Sequence, residues 1–347
     1  MEVRTLYARL ALAALGLAFV VVVVGAFVRL MDAGLGCPDW PGCYGELSPA
    51  HAEERIAKAV EAQGGEHGPV SMRKAWKEMF HRYLASTLGL LILIIAALSI
   101  RARGERGVNV WLSLGLLVLV VLQGILGMLT VTWLLKPLIV TGHLLGGLST
   151  FALLLWLWLS MRATARPVDG RTVLAGNRVA EGGGRTRVVA ALALAALFIQ
   201  IFLGGWTSSN YAAVACPDLP QCQGQWVPEA DFDDAFVLWR GLGINYAGGV
   251  LDHPARVAIH FTHRAGAVVA SLLLLAAAFS AFRLGRGPRS AGALVVAALA
   301  LQISIAVLMV LRAFPLELAA AHNAGAALLV AATVYLNRRL RPVDDFR

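Results

Sequence analysis

The sequence is short of charge. Asp, Glu, Lys and Arg make up only 15% of its 347 residues, whereas about a quarter of a soluble domain is charged. Hydrophobic residues make up 58%, and the mean hydropathy is +0.70. This composition excludes an ordinary soluble domain and indicates a chain built for lipid.

The sequence also lacks the pattern of a nucleic-acid-binding protein. Its formal net charge is +9, but no basic patch is interleaved with aromatic side chains. The arginines gather instead in short connections between apolar runs. The positive charge therefore reports membrane orientation, and nucleic acid is excluded as a partner.

Long apolar runs account for most of the chain. Runs of about 18 residues or more predict membrane-spanning helices, because ~20 residues cross the hydrocarbon core. The first run is too long for a signal peptide and lacks a small-residue cleavage site. The predicted spans are Leu6–Leu30, Met79–Ile100, Asn109–Trp133, Pro137–Met161, Val188–Ser208, Arg256–Phe282, Ser290–Leu311 and Leu316–Leu336.

A repeat divides the chain into two halves. Seven residues recur 179 positions later, and the pair His81-Arg82 recurs as His263-Arg264 after 182. A constant offset over such a length indicates duplication. We therefore predict an all-α polytopic membrane protein of two duplicated four-helix bundles, residues 1–165 and 188–347, joined by a cytoplasmic linker, 166–187. The seven are Gly25, Cys37, Cys43, Gly45, Gln123, His143 and Gly146, repeated as Gly204, Cys216, Cys222, Gly224, Gln302, His322 and Gly325.

The distribution of arginine predicts the topology. Connections after the second, fourth and sixth spans are rich in arginine, as is the C-terminal tail, whereas the two long loops near 32–78 and 209–255 hold most of the acids. By the positive-inside rule, both termini are cytoplasmic and the long loops lie on the outer face. For a bacterial cell membrane, that face is periplasmic.

Cysteine is scarce, and its four positions form two pairs. Cys37 and Cys43, like Cys216 and Cys222, enclose five residues that include two prolines. On the outer face we expect one disulfide in each loop. Each pair is interpreted either as a structural staple or as a thiol couple that takes part in turnover. The spacing differs from the Cys-x-x-Cys of redox proteins, which favours the staple.

Five histidines lie inside apolar segments, where an ionisable group is a functional candidate, and four of them form a repeated set. His81 and His143 are at similar predicted depth on neighbouring helices, and His263 and His322 repeat the arrangement. Opposed histidines in a bundle suit axial ligation of heme iron. No third or fourth ligand accompanies either pair, which disfavours zinc and copper.

Arginines follow the first histidine of each pair. Arg82 and Arg264 are interpreted either as partners of heme propionates, since a guanidinium matches a carboxylate, or as side chains that reach lipid headgroups. Gln200-x3-Gly204-x2-Thr207 echoes the sequence around Gln123 and indicates polar helix packing.

The repeat breaks one turn before those histidines. Glu78 precedes His81 by three residues, whereas His260 occupies that place before His263. Residues three apart share a helix face, so Glu78 is a candidate catalytic carboxylate for the first pocket. The alternative is a salt bridge to Lys74, Lys77 or Arg82. His260 in turn could compete with His263 as an axial ligand.

Taken in order, these motifs resemble the heme A synthase family of bacterial and mitochondrial membranes. The resemblance rests on Gly25-Ala-Phe-Val-Arg29, on Gly36-Cys37-Pro-Asp-Trp-Pro-Gly-Cys43, on Glu78-x-x-His81-Arg82, and on single histidines in the fourth, sixth and eighth spans. It covers essentially the whole chain. The hydrophilic insert near 49–73 departs from the pattern.

The resemblance implies an oxidoreductase that converts heme O to heme A by oxidising the C8 methyl group to a formyl group through successive hydroxylations. It implies that His81 and His143 hold the substrate heme, that His263 and His322 ligate a resident heme b, and that Glu78 is catalytic. The cysteine pairs match outer-loop disulfides of that family. Implied partners are heme O synthase, terminal oxidase assembly factors and membrane lipid, and a homo-oligomer is left open.

Three alternatives compete with this enzyme. A di-heme transmembrane electron-transfer cytochrome or reductase would place its hemes near both faces, whereas all four histidines lie near the outer one. A disulfide-generating quinone reductase would leave those histidines without a purpose. A heme transporter shares the pockets but has no need of Glu78.

Overall fold

The structure is a computed structural model, and it describes residues 2–65, 68–164 and 183–341. Most of the predicted linker, 166–187, lies outside the described residues. In the described part of the chain every regular element is helical, apart from two isolated bridges, Cys43 with Glu46 and Cys222 with Gln225. The predicted all-α class is therefore confirmed.

Eight of the helices are long and apolar enough to cross a membrane, which confirms the predicted number of spans within the described ranges. Two shorter helices, α2 (Glu53–Ala62) and α7 (Phe232–Ala235), lie in the two long loops. The eight are α1 (Glu2–Leu30), α3 (Met72–Arg101), α4 (Val110–Thr132), α5 (Pro137–Thr164), α6 (Gly184–Ser209), α8 (His253–Ala281), α9 (Arg286–Leu311) and α10 (Leu316–Arg339).

Helix α3 begins seven residues before its predicted start at Met79. Its first turns carry lysines, arginine and Glu78, which interrupt the apolar run but not the helix. Ser71 caps the helix, because its hydroxyl accepts a hydrogen bond from the Lys74 N–H at 3.2 Å. Hydrophobicity marks the part of a helix that lies in lipid, whereas capping marks where the helix begins.

The pairwise packing of helices is the same in the two halves. Helix α1 packs on α3 and α5, and α4 packs on the same two helices. In the second half α6 packs on α8 and α10, and α9 packs on those two. Between the halves, α5 contacts α6 and α10, and α1 contacts α10. This pattern agrees with duplication, while the division into two separate bundles stays a prediction.

Both long loops, residues 31–71 and 210–252, lie at one end of the helices, which we call the cysteine-loop end. Two tight hairpins lie at the same end, because the chain crosses twice between each long loop and the hairpin that follows it, through α3 and α4 or through α8 and α9. They join α4 to α5 and α9 to α10, and each contains two consecutive left-handed residues: Leu134 and Leu135, with φ of 50° and 61°, and Ala313 and Phe314, with φ of 56° and 61°.

The hydrophilic insert of the first loop packs back onto the protein. The 3-10 turn Pro49–Ala52 and helix α2 contact α3. Ile56, the buried residue on α2, packs in a cluster with Cys37, Cys43 and Met79. The insert therefore covers the first disulfide.

Candidate functional site

His81 on α3 and His143 on α5 face each other inside the first half. Their ring centroids are 6.5 Å apart, and the ring planes are nearly perpendicular at 85°. The Nδ1 atom of each ring is buried and has no hydrogen-bond partner. A buried polar atom without a partner is costly, so these two facing rings are candidates to bind a ligand between them.

The geometry of this pair fits axial ligation of a metalloporphyrin. Metal–imidazole nitrogen bonds are about 2 Å long, so two rings that share one metal ion have centroids roughly 6 Å apart. In the described ranges, no three His, Cys, Asp or Glu side chains are grouped so that they could hold a metal ion. Two histidines without further protein ligands suit a metal ion whose other ligands come from a bound group, such as the nitrogens of a porphyrin.

Glycines make room for both rings. A Cβ atom on Gly25 of α1 would lie 2.7 Å from Cε1 of His81, which is closer than real contacts. A Cβ atom on Gly127 of α4 would lie 3.4 Å from Cε1 of His143. The repeated Gly25 is therefore required by the position of the His81 ring.

His263 on α8 and His322 on α10 form the second pair, and they occupy the positions of the repeat that His81 and His143 occupy in the first half. A Cβ atom on Gly204 would lie 3.1 Å from Cε1 of His263, so the glycine contact of the first half recurs. The second half therefore repeats the histidines and the glycine of the first pair.

Glutamines contact the second pair. Nε2 of Gln200 lies 3.0 Å from Nδ1 of His263 and donates to the His263 carbonyl at 2.9 Å. Nε2 of Gln302 lies 3.2 Å from Nδ1 of His322 and donates to the His322 carbonyl at 3.1 Å. Sequence reasoning assigned Gln200 to helix packing only. The available signal was its place in the motif Gln200-x3-Gly204-x2-Thr207, which contains the repeated Gly204.

The repeated glycines Gly146 and Gly325 lie against the repeated glutamines Gln123 and Gln302. A Cβ atom on Gly146 would overlap the amide of Gln123, and one on Gly325 would overlap the amide of Gln302. Each glycine therefore leaves space for a glutamine side chain between two helices.

Glu78 is buried, with 5% of its surface exposed, and both of its oxygens are engaged. Oε1 accepts from Nη2 of Arg82 at 2.5 Å, and Oε2 accepts from the Cys37 N–H at 2.9 Å. The salt bridge to Arg82 considered from the sequence is therefore present. It places a carboxylate one turn from His81 and ties that carboxylate to the first cysteine loop.

Arg82 and Arg264 hold the two cysteine loops in the same way. Nη1 of Arg82 donates to the carbonyls of Asp39 at 2.9 Å and Gly42 at 2.5 Å. Nη1 of Arg264 donates to Asp218 and Gln221, both at 2.8 Å. These acceptors are equivalent positions of the repeat. Each arginine therefore links the helix that carries a histidine to the loop above it.

His260 takes the place of Glu78 in the second half. Its Nε2 accepts from Nε of Arg264 at 3.2 Å, and its ring packs edge-on to Phe314 with centroids 6.2 Å apart. The first half thus contains a buried ion pair where the second contains a cation with a neutral imidazole.

Both predicted disulfides are present in the structure, Cys37–Cys43 with 4.8 Å between Cα atoms and Cys216–Cys222 with 4.7 Å. An aspartate organises each loop: Asp218 accepts from the N–H groups of Gln223 at 2.7 Å and Gly224 at 2.8 Å. The Gly224 N–H is the main reason that the pKa of Asp218 lies below its ordinary value.

The fold defines a class: a multi-pass, all-helical membrane protein whose two halves each carry a pair of histidines inside the helices. A family model described as COX15-CtaA, cytochrome oxidase assembly protein, matches residues 8–334, and the chain belongs to that family.

Relatives that are named heme A synthase match nearly the whole chain. The protein of Shewanella oneidensis is 41% identical over 320 residues, which are 91% of each chain. That of Rhizorhabdus wittichii is 28% identical over 93% of this chain and 91% of its own. That of Caulobacter vibrioides is 29% identical over 93% of both.

Proposed function

We propose that this protein is a heme A synthase, an oxidoreductase that converts heme O to heme A for terminal oxidases. The C8 methyl group of the porphyrin becomes a formyl group through successive hydroxylations. The observation that carries this proposal is the asymmetry between the halves: both have a histidine pair, but among the described residues only the first half has a buried carboxylate, Glu78, one turn from a proposed ligand. A cytochrome or a transporter needs no such difference.

The two pairs have different roles in this proposal. His81 and His143 hold the substrate heme O, because their facing rings lie in the half that contains Glu78. His263 and His322 hold a resident heme b, which supplies one-electron transfer when bound. Gln200 and Gln302 orient the second pair, as outer-shell partners orient other metal-ligating histidines.

Glu78 accepts or holds a proton at the edge of the substrate. Arg82 and the Cys37 N–H hold its carboxylate in position. A positioned carboxylate of this kind can take the proton released as the methyl group is oxidised. Because Cys37 belongs to the first disulfide, the staple has a direct part in placing the carboxylate.

Arg82 and Arg264 are proposed to pair with heme propionates. Loop carbonyls together with Glu78 or His260 use most of the five N–H groups of each guanidinium, and one N–H on Nη2 of each is left for a carboxylate. The same side chains then link the substituents of the porphyrin to the loop that covers it.

The arginine-rich connections support a bacterial inner-membrane location in which both termini are cytoplasmic and the cysteine loops periplasmic. Heme O synthase would supply the substrate, and terminal oxidase assembly factors would receive the product.

Extraction and mass analysis of hemes tests the function directly. Cells that make heme O but no heme A should acquire the formyl heme when this protein is expressed. The matched control is the Glu78→Gln variant, expressed to the same level. A wild-type protein that binds heme at both pairs but never yields heme A would reject the enzyme in favour of a cytochrome or transporter.

A further inference from the structure

A segment of the second long loop lies across the first half. We call residues 239–246 the strap. Its Tyr246 N–H donates to the Leu134 carbonyl at 3.1 Å. Trp239 packs edge-on to Trp133 with centroids 5.7 Å apart. The partners Trp133 and Leu134 belong to the hairpin between α4 and α5, so the second half covers a turn of the first.

Lys136 anchors the strap. The side chain is buried, with 1% of its surface exposed, although lysine is among the residues least often buried. Its Nζ donates to the carbonyl of Gly241 at 3.0 Å and to that of Arg240, and it lies 3.4 Å from the ring centroid of Trp239. These partners are neutral, so the ammonium is held by carbonyl dipoles and a cation–π contact.

The strap is itself held in shape at both ends. Nη2 of Arg240 donates to the carbonyl and the carboxylate of Asp234 in the same loop, at 2.7 and 2.6 Å. Tyr246 is buried, with 2% of its surface exposed. The strap therefore packs on the hairpin as an ordered segment, and Lys136 makes hydrogen bonds that join the hairpin to it.

Lys136 and Trp133, which contact the strap, have no equivalents in the second half. The positions that correspond to Trp133, Leu135 and Lys136, 179 residues on, are Arg312, Phe314 and Pro315. The second hairpin has the same pair of left-handed residues but neither the lysine nor the tryptophan. Because Lys136 and its contacts have no equivalent in the second half, we expect them to support a property that only the first half has. That property is the carboxylate Glu78 beside the first histidine pair.

Lys136 is also joined to the helix that carries His143. It directly precedes Pro137, the first residue of α5, and its carbonyl accepts from the N–H groups of Ile139 and Val140, both at 3.0 Å. His143 follows seven residues later, two turns along the same face of the helix. A contact that fixes the Lys136 side chain therefore also fixes the start of α5, the helix that carries His143.

We propose that Lys136 is a positioning residue for the first histidine pair. Its contacts with the strap fix the start of α5 and therefore the position of the His143 ring relative to His81. The geometry of the first pair then depends on a loop of the second half. The assignment of the first pair to heme O rests on the proposed function, but the positioning itself does not.

The test is a hemin titration of purified Lys136→Met, which keeps the length of the side chain and removes its charge. The hemin concentration that half-saturates the low-spin signal of the first pair should rise about tenfold, which is the lower end of the affinity loss when an outer-shell partner is removed. The second pair should titrate as in the wild type. His143→Ala and His322→Ala identify the two signals. Lys74→Met, which removes a lysine contact with the Gly68 carbonyl in the first loop, is the control and should leave both unchanged.

A spin label reports the strap independently. The four cysteines are all in disulfides, so Leu242→Cys, at a position 62% exposed, gives one reactive thiol. Lys136→Met should sharpen its spectrum, and Lys74→Met should not. In turnover, Lys136→Met should raise KM for heme O more than it lowers kcat.

If the first pair of Lys136→Met binds hemin as in the wild type, the proposal is overturned, whatever the spin label shows. If its binding is weaker but the spin-label spectrum is unchanged, the role of the strap is overturned. If Lys136→Met loses the second-pair spectrum as well, it has misfolded, and Trp239→Ala then takes its place with the same expectations. A wild type that binds hemin at both pairs but makes no heme A would reject the enzyme and leave the titration valid.

Discussion

Asp32 and Tyr211 are 179 positions apart, which is the offset of the repeat, and they are hydrogen bonded: the Tyr211 hydroxyl donates to Oδ1 of Asp32 at 2.9 Å. Arg29 donates to the Ser208 carbonyl at 2.8 Å across the same offset. Equivalent positions contact each other where two copies meet about a two-fold axis. The packing of α5 on α10 and the paired contacts of α1 with α10 and α6 with α5 follow the same rule. These contacts support the predicted duplication.

Tyr211→Phe removes one hydroxyl from this junction. The Tyr211 hydroxyl also accepts from Nη1 of Arg29 at 3.1 Å, so the change leaves two polar groups with one partner fewer. We expect a loss of about 1 kcal/mol of stability, seen as a lower thermal unfolding temperature with unchanged heme spectra. Tyr83→Phe, which removes a hydrogen bond to the Leu47 carbonyl inside the first half, is the comparison. Changed heme spectra in Tyr211→Phe would show that the junction shapes the sites.

Glu78→Gln tests the carboxylate. The amide keeps the size of the side chain but cannot accept a proton as a base, so heme A formation should fall by about 100-fold, as for loss of a general base. The resident heme spectrum should persist, because Glu78 lies in the other half. His260→Gln changes the equivalent position of the repeat and should retain most activity. Wild-type rates in Glu78→Gln would leave the carboxylate with only its structural role, the ion pair to Arg82.

Gln200→Leu tests the support of the second pair. When a metal takes one nitrogen of an imidazole, the other carries a proton and needs an acceptor. Oε1 of Gln200 is buried without a partner, so rotation of the amide would supply that acceptor to His263. We expect a 10- to 100-fold loss of heme affinity at the second pair, about the cost of removing an outer-shell partner. Gln123→Leu should leave that affinity unchanged, and equal loss in both variants would contradict a specific role for Gln200.

Most of the helices and both histidine pairs could be predicted from the sequence because lipid imposes a simple rule. A span must be apolar for its whole length, so His81 and His143 stand out, and the repeat doubles the signal. The disulfides were predictable for a similar reason, since each pair is local and occurs twice.

The contacts of long side chains with loops could not be predicted. Arg82 and Arg264 engage carbonyls more than forty positions away, at Asp39 and Asp218, and this depends on how each loop folds. Lys136 was missed although a signal existed: it is a lone cation in a four-residue apolar turn between two spans. The repeat gave no help there, because the equivalent position in the second half is Pro315.

Asp218 predicts a dependence of the second cysteine loop on pH. Because hydrogen bonds from Gly224 and Gln223 hold the pKa of Asp218 below its ordinary value, the ionised carboxylate stabilises the loop. This contribution is complete above the ordinary pKa of aspartate, about 4, and is lost as the pH falls through the lowered value. Protection of the Gln223 and Gly224 amides from hydrogen exchange should therefore be lower in Asp218→Asn than in the wild type at neutral pH, and the two should converge in acid. Asp39→Asn, which changes the same cap in the first loop, should leave these amides unaffected. If the wild type and Asp218→Asn differ equally at every pH, the stabilisation comes from the shape of the side chain and not from its charge.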